Sequence, residues 1–313
     1  MKLSPFPAIL LAGLLSACGG GSNDNATPNQ SNSSSQSNLQ QEPGAPVFTG
    51  NTAQDGINWI NYRRAQAGLP VLSHNSKIDT AAQGHSNYQK LNNTVTHVQT
   101  PGQAGFTGAT ITDRLSAAGY VLTPAYAAGE VIAAATDTSG FVLSEQLITA
   151  IYHRFVIFEP IFKDIGAGSA TVAGGYTYFT SDLAASNGYG PGLSRGNIVV
   201  YPFANQLKVA TNFFTDQETP DPVANQNETG YPISVHANIN AVLSVTTFTV
   251  QPHGGAILAV KLLSGATDTE TPHSAAAIIP LAVLVANTSY DVAFAGVVDG
   301  VPVTRAWSFT TTQ

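Results

Sequence analysis

Apolar residues recur along this chain at two different periods, and the change of period divides it. Ile57, Ile60, Asn61 and Arg64 fall at i, i+3, i+4 and i+7, the spacing of one helical face. Gly68 and Pro70 close that helix. Ile78, Ala81, Ala82 and His85 repeat the spacing in a second helix, and Leu143, Leu147, Ile148 and Ile151 in a third. Past Gly166 and Gly168 the character changes. Residues 176–180 are aromatic and β-branched and predict a strand. Helices mixed with few strands over 50–185 predict a layered α/β domain. The Gly166-Ala167-Gly168-Ser169 stretch lacks the third glycine of a dinucleotide fingerprint and reads as a turn packed on a sheet.

Residues 186–196 are rich in Gly, Ser, Asn and Pro and mark a boundary. Beyond it no helical period remains. Short strands are expected at 198–201, 233–235, 245–250, 256–260, 290–294 and 307–310, separated by turn signals such as His253-Gly254-Gly255 and Asp299-Gly300. That rhythm predicts an all-β sandwich over 198–313.

The first 48 residues carry neither period. Met1-Lys2, an apolar run over 7–15 and Leu15-Ser16-Ala17-Cys18 make residues 1–18 a lipoprotein signal peptide with its lipobox. The run is too short to span a bilayer. Cys18 is the sole cysteine, which excludes an internal disulfide and a Cys-based zinc site and leaves lipidation as its role. Residues 19–48 are a Ser-, Asn- and Gln-rich linker that cannot bury a core and is expected to be disordered. About 30 flexible residues reach roughly 30 Å. The expected location is the cell envelope, extracytoplasmic and lipid-anchored. Gly19 after Cys18 resembles outer-membrane sorting in Gram-negative bacteria.

Charged residues make up only 10% of the chain and the net charge is −7, with no basic run, which excludes a nucleic-acid-binding surface. The expected partners are a membrane, through the lipid, and a small-molecule or envelope ligand. The oligomeric state is not set by the sequence.

Several segments, in order, resemble one family. Asn61-Tyr62-Arg63-Arg64-Ala65-Gln66-Ala67-Gly68-Leu69-Pro70 comes first, then Ala81-Ala82-Gln83-Gly84-His85-Ser86, then His97. Arg114-Leu115-Ser116-Ala117-Ala118-Gly119-Tyr120, Gly129-Glu130, His153-Arg154 and Ile165-Gly166-Ala167-Gly168 follow. Each is weak alone; their order over about 130 residues is similar to the bacterial CAP superfamily, the SCP or cysteine-rich secretory domains. The resemblance implies a CAP-type α/β/α sandwich. The second domain resembles bacterial Ig-like sandwiches through Asn287-Thr288-Ser289-Tyr290-Asp291-Val292 and the closing Trp307-Ser308-Phe309-Thr310-Thr311.

In that family two His and two acidic residues line a central cavity. The resemblance places His97, Glu130 and His153 at three of those positions, while Ala150 stands at the fourth. Glu145 falls about 80° from His153 on a helical wheel, and Gln146 shares its face better. Two imidazoles and a carboxylate suit a divalent metal, so His97, His153 and Glu130 are candidate ligands and zinc the cofactor they would hold. A hydrogen-bonded cluster bracing the loops is the other reading, and both stay open.

His85, on an apolar face, is expected to be a satisfied core residue. Ser86 lacks a nucleophile elbow. Arg154 is expected to pair with Glu159 or Asp164, or to line the groove. His74, His236, His253 and His273 are expected to be solvated. Three functions compete: a ligand- or metal-binding module, a metal-dependent hydrolase of peptides or cell envelope with Glu130 as its general base, and a structural envelope protein with an inert cavity.

Overall fold

The computed structural model describes Leu39 and residues 41–313, so the signal segment, Cys18 and most of the linker lie outside the described residues. Five helices and four strands build the first half. Helix α1 (Thr52–Gln66) starts where Asn51 accepts the Gln54 N–H, and Arg63 and Arg64 stand in its last turn. Strand β1 (Ser73–His74) leads into α2 (Ser76–Asn92), which Asn75 caps and Asn93 ends in the left-handed region (φ 48°). Helix α3 (Ile111–Ala117) opens on a capping box between Thr110 and Asp113. Strand β2 (Ala127–Ala135), helices α4 (Gly140–Thr149) and α5 (Ile151–Ile157), and strands β3 (Asp164–Thr171) and β4 (Thr177–Ala185) complete the half.

The strands form one sheet in the order β1-β3-β4-β2, parallel only at β1–β3. Side chains alternate across a strand, so the sheet has two faces. Ala128 and Ala184 pack with Ile78, Ala81, Leu115 and Tyr120 on the α2 and α3 side. Val131, Phe179 and Leu183 pack with Ile57, Phe141 and Leu147 on the α1, α4 and α5 side. The result is a three-layer α/β/α sandwich.

Two sequence expectations change in this half. Residues 166–169 are strand, not turn. Glycine is needed because a Cβ on Gly168 would lie 2.2 Å from the Gln83 backbone nitrogen, and one on Gly166 would lie 2.4 Å from that of Asp79. The third predicted helix is two, broken where Ala150 turns extended (ψ 119°).

The second half is all-β among the described residues, apart from one 3₁₀ turn (Thr215–Gln217). Strands β5 (Val199–Tyr201), β9 (Ile233–His236), β11 (Val260–Ser264) and β12 (Ala275–Pro280) form one sheet, ordered β11-β12-β9-β5. A second sheet holds β6 (Gln206–Val209), β10 (Leu243–Pro252), β13 (Ser289–Val298) and β14 (Val301–Thr311), ordered β10-β13-β14-β6. Strands β7 (Asn212–Phe214) and β8 (Glu228–Gly230) make a separate ribbon. The strand expected at 256–260 starts only at Val260; before it the chain makes isolated bonds, Leu258 N–H to the Val250 carbonyl and Leu281 N–H to that of Ala259.

One continuous core runs through both halves. At the seam the Phe158 ring lies 4.7 Å from that of Tyr201, and Phe155 and Phe158 meet the His236 ring edge-on at 5.7 and 5.6 Å. His236 is therefore not solvated: it is 2% exposed, and burial lowers its pKa to about 3, so its ring is neutral. No described helix is long and apolar enough to cross a membrane.

Candidate functional site

On the α2–α3 face of the sheet, five charged or titratable side chains meet in the interior. Strand register sets Glu130 of β2 directly opposite Asp182 of β4. Above them, α2 contributes His85 and α3 contributes Arg114, while His97 comes from the loop that follows α2.

That loop is tied down by its own polar groups. Gln99, fully buried, donates from Nε2 to His85 Nδ1 (2.9 Å) and accepts the Thr107 N–H (2.7 Å). His85 Nε2 donates to the Thr96 carbonyl (2.6 Å), which fixes the proton on that nitrogen. His85 is thus the satisfied core residue the pattern predicted, although its ring also lies 3.8 Å from Glu130. Burial lowers its pKa, against the pull of Glu130.

Both Glu130 oxygens are bonded. Oε1 accepts from His97 Nδ1 at 2.8 Å and Oε2 from Arg114 Nη2 at 2.6 Å. Burial alone would raise its pKa; the Arg114 guanidinium, with His85 and His97, overrides burial and holds the carboxyl well below the ordinary range. Asp182 behaves oppositely. Burial and the neighbouring Glu130 charge push its pKa well up. Neither of its oxygens receives a hydrogen bond from a nitrogen or hydroxyl, which suits a carboxyl group that keeps its proton and turns the O–H toward Glu130. With Nδ1–H committed to Glu130, His97 keeps a buried Nε2 that has no partner.

The structure therefore brings His97 and Glu130 together but not His153. Glu130 points to the α2–α3 face, whereas His153 sits on α5, whose Val156 packs against Gly129 on the other face. His153 Nδ1 is 3.1 Å from Glu218 Oε1, a carboxylate of the second half, and its Nε2 is buried without a partner. The expected set of His97, Glu130 and His153 is thus split by the sheet. Among the described residues, no three His, Cys, Asp or Glu side chains are placed to hold a metal ion, so the donors present do not fit zinc.

The auxiliary residues separate too. Gln146 is exposed. Arg154 pairs with neither Glu159 nor Asp164. It is fully buried and donates to the carbonyls of Ile148 (2.5 Å), Thr149 (3.3 Å) and Pro232 (2.6 Å), between the rings of Tyr201 and Tyr231. Ser86 Oγ donates to the Gly168 carbonyl and is not a free nucleophile. His74 and His253 are exposed but paired with Asp79 and Asp291, and His273 is exposed. An open groove of about 590 Å³, lined by Gln54, Asp79, Gln83 and Asn87 among others, lies between the start of α1 and α2 and contains none of the expected site residues.

Sequence reasoning missed Asp182, Gln99 and Glu218, and did not assign Arg114 a role. Asp182 left one trace: it is the single charge in the aromatic and β-branched run of β4.

Residues 57–183 match the model of the CAP, cysteine-rich secretory protein family. No curated protein matches the chain. Among solved structures, an extracellular protein containing an SCP domain from Bacillus anthracis is similar at 24% identity, over 42% of this chain and 39% of that one, with a TM-score of 0.36. This chain thus spans about two fifths of that protein's length. An outer surface protein from Borrelia burgdorferi is similar at 14% identity, over 42% of this chain and 90% of that one, with a TM-score of 0.35.

Proposed function

We propose that this protein is an exported binding module of the cell envelope. In this reading a lipid on Cys18 holds it at a membrane, its CAP-type domain takes a small-molecule or envelope ligand, and an Ig-like sandwich stands beside that domain. The ordered motifs from Asn61 to Gly168 and the family match over 57–183 support the CAP-type part. The lipobox supports export and anchoring.

Binding without hydrolysis is carried by one observation: both oxygens of Glu130 are already bonded, to His97 and Arg114. A general base needs a free lone pair and a pKa near the working pH. Glu130 fails the second condition, because its carboxyl is held well below the ordinary range, and its two oxygens are already turned to His97 and Arg114. His97 and His153 each keep a buried, unpartnered Nε2, which leaves hydrogen-bond acceptance as the chemistry of these rings.

The test is a turnover assay of the purified protein on a peptide library and on peptidoglycan. No hydrolysis above the rate in buffer is expected. Turnover that Glu130→Gln abolishes would overturn the reading in favour of the hydrolase.

A further inference from the structure

Helix α5 begins at a residue that cannot cap it. Ala150 occupies its N-cap and makes no side-chain hydrogen bond. The first amides of a helix have no partner within it, and in a buried helix they must find one elsewhere. These amides find a carboxylate 67 residues downstream. Glu218, 1% exposed at the end of the 3₁₀ turn, accepts the Ile151 N–H at Oε2 (2.9 Å). Its Oε1 accepts the Tyr152 N–H (2.8 Å) and, at 3.4 Å, the His153 N–H. The same oxygen lies 3.1 Å from His153 Nδ1.

A carboxylate can only accept, so the proton of the His153 ring must sit on Nδ1. Nε2 is then left as a bare lone pair, buried and without a partner. A second group that hydrogen-bonds one ring nitrogen decides what the other can do.

We propose that Glu218 is a positioning residue for His153: reaching in from the β half, it caps α5 and holds the ring in its Nδ1–H form, so that Nε2 is the acceptor nitrogen in the interior. This makes the setting of that ring a product of both halves. Neither half supplies it alone, because the first has no hydrogen-bonding side chain at position 150 to cap the helix.

A role in capping alone and a role in setting the tautomer are separable. Nitrogen-15 spectra of the full chain, recorded at mildly alkaline pH, distinguish a protonated from a bare Nε2. The wild type is expected to show a bare Nε2 on His153. Glu218→Ala is expected to lower the melting temperature and to move that resonance into the protonated range, the form a free imidazole favours in water. Adding Ala150→Ser to Glu218→Ala supplies a local cap, and it is expected to recover part of the melting temperature but not the bare Nε2. Should Glu218→Ala fail to fold, the double variant with Ala150→Ser, whose hydroxyl caps α5, carries the same expectation for the ring. A wild-type ring protonated at Nε2, or a bare Nε2 that survives in these variants or returns with the serine, would overturn the proposal. None of these spectra needs a ligand, so they stand or fall apart from the binding reading itself.

Discussion

Glu130, Asp182 and Glu159 are all carboxyl groups shut away from water, and they ionise differently. Glu130 is charged because Arg114 and two imidazoles replace the lost solvent. Asp182 has its pKa pushed well up by burial and by the Glu130 charge beside it, against the pull of Arg114. Glu159, 3% exposed at the seam, accepts the N–H groups of Ile161 (3.1 Å) and Ile239 (3.0 Å). Burial raises its pKa to about 8, and those two amides and Arg64, which pull the other way, do not offset it. A raised carboxyl pKa means that the folded state holds the proton more tightly than the unfolded chain. Its stabilisation is fully present below the unfolded value and is lost as pH rises through about 8. Glu159→Gln, which cannot ionise, is therefore expected to flatten the fall in melting temperature between mildly acidic and mildly alkaline pH. Parallel slopes for variant and wild type would refute this. The pairing of His97 with Glu130 was legible in the sequence through the order of motifs. The counter-charge from Arg114 was not, although that residue sits in one of the quoted segments, because a Coulomb contact depends on spatial neighbours and carries no period.

At the scale of elements, two glycines decide how close α2 comes to the sheet. Alanine in place of glycine ordinarily stabilises a strand by about 0.5–1 kcal/mol. At Gly168 the added Cβ would sit 2.2 Å from the Gln83 nitrogen and 2.3 Å from its Cα, both backbone atoms that cannot swing aside. Gln83 is also committed to the strand, its amide bonding the N–H of Ser169 at 3.1 Å and the carbonyl at 2.9 Å. Overpacking outweighs propensity, and Gly168→Ala is expected to cost roughly 1–3 kcal/mol, read as a lower melting temperature. An unchanged or raised value would show that α2 can retreat. The helices α1, α2 and α4 were legible because each presents an apolar stripe of helical period. Strand β3 was not, because glycine and alanine give no alternation to read, and glycine serves both turns and close packing. The break at Ala150 was equally silent, since its cause is a cap supplied from far along the chain.

At the scale of the molecule, the seam behaves as core. Arg154, which the sequence offered to a neighbouring acid, is buried between two tyrosines of the β half, with its donors on main-chain carbonyls of both halves. Nothing in a one-dimensional pattern announces such a seam, because each of its residues also satisfies the period of its own element. The two tryptophans divide evenly across it: Trp59 lies in α1 and Trp307 in β14, both buried. Trp59→Phe and Trp307→Phe leave single reporters of the second and first halves respectively. Within each variant, tryptophan fluorescence and far-ultraviolet circular dichroism are expected to share one denaturant midpoint and slope. Fluorescence and dichroism midpoints that separate within a variant would mean that the halves melt independently.

The bond between Glu42 and Arg63 has a mechanical consequence. Glu42 grips the guanidinium at the far end of α1 with two contacts, 2.6 and 2.8 Å, and the chain then runs back to the start of that helix at Asn51. A pull applied upstream of Glu42 meets this clamp before it can peel α1 from its first turn. Arg63 is braced in turn by Glu145 (2.8 Å) and lies over the Trp59 ring, so the load passes sideways into α4 and the interior. Traction from that end therefore falls on Arg63 and its partners before it reaches the first turn of α1.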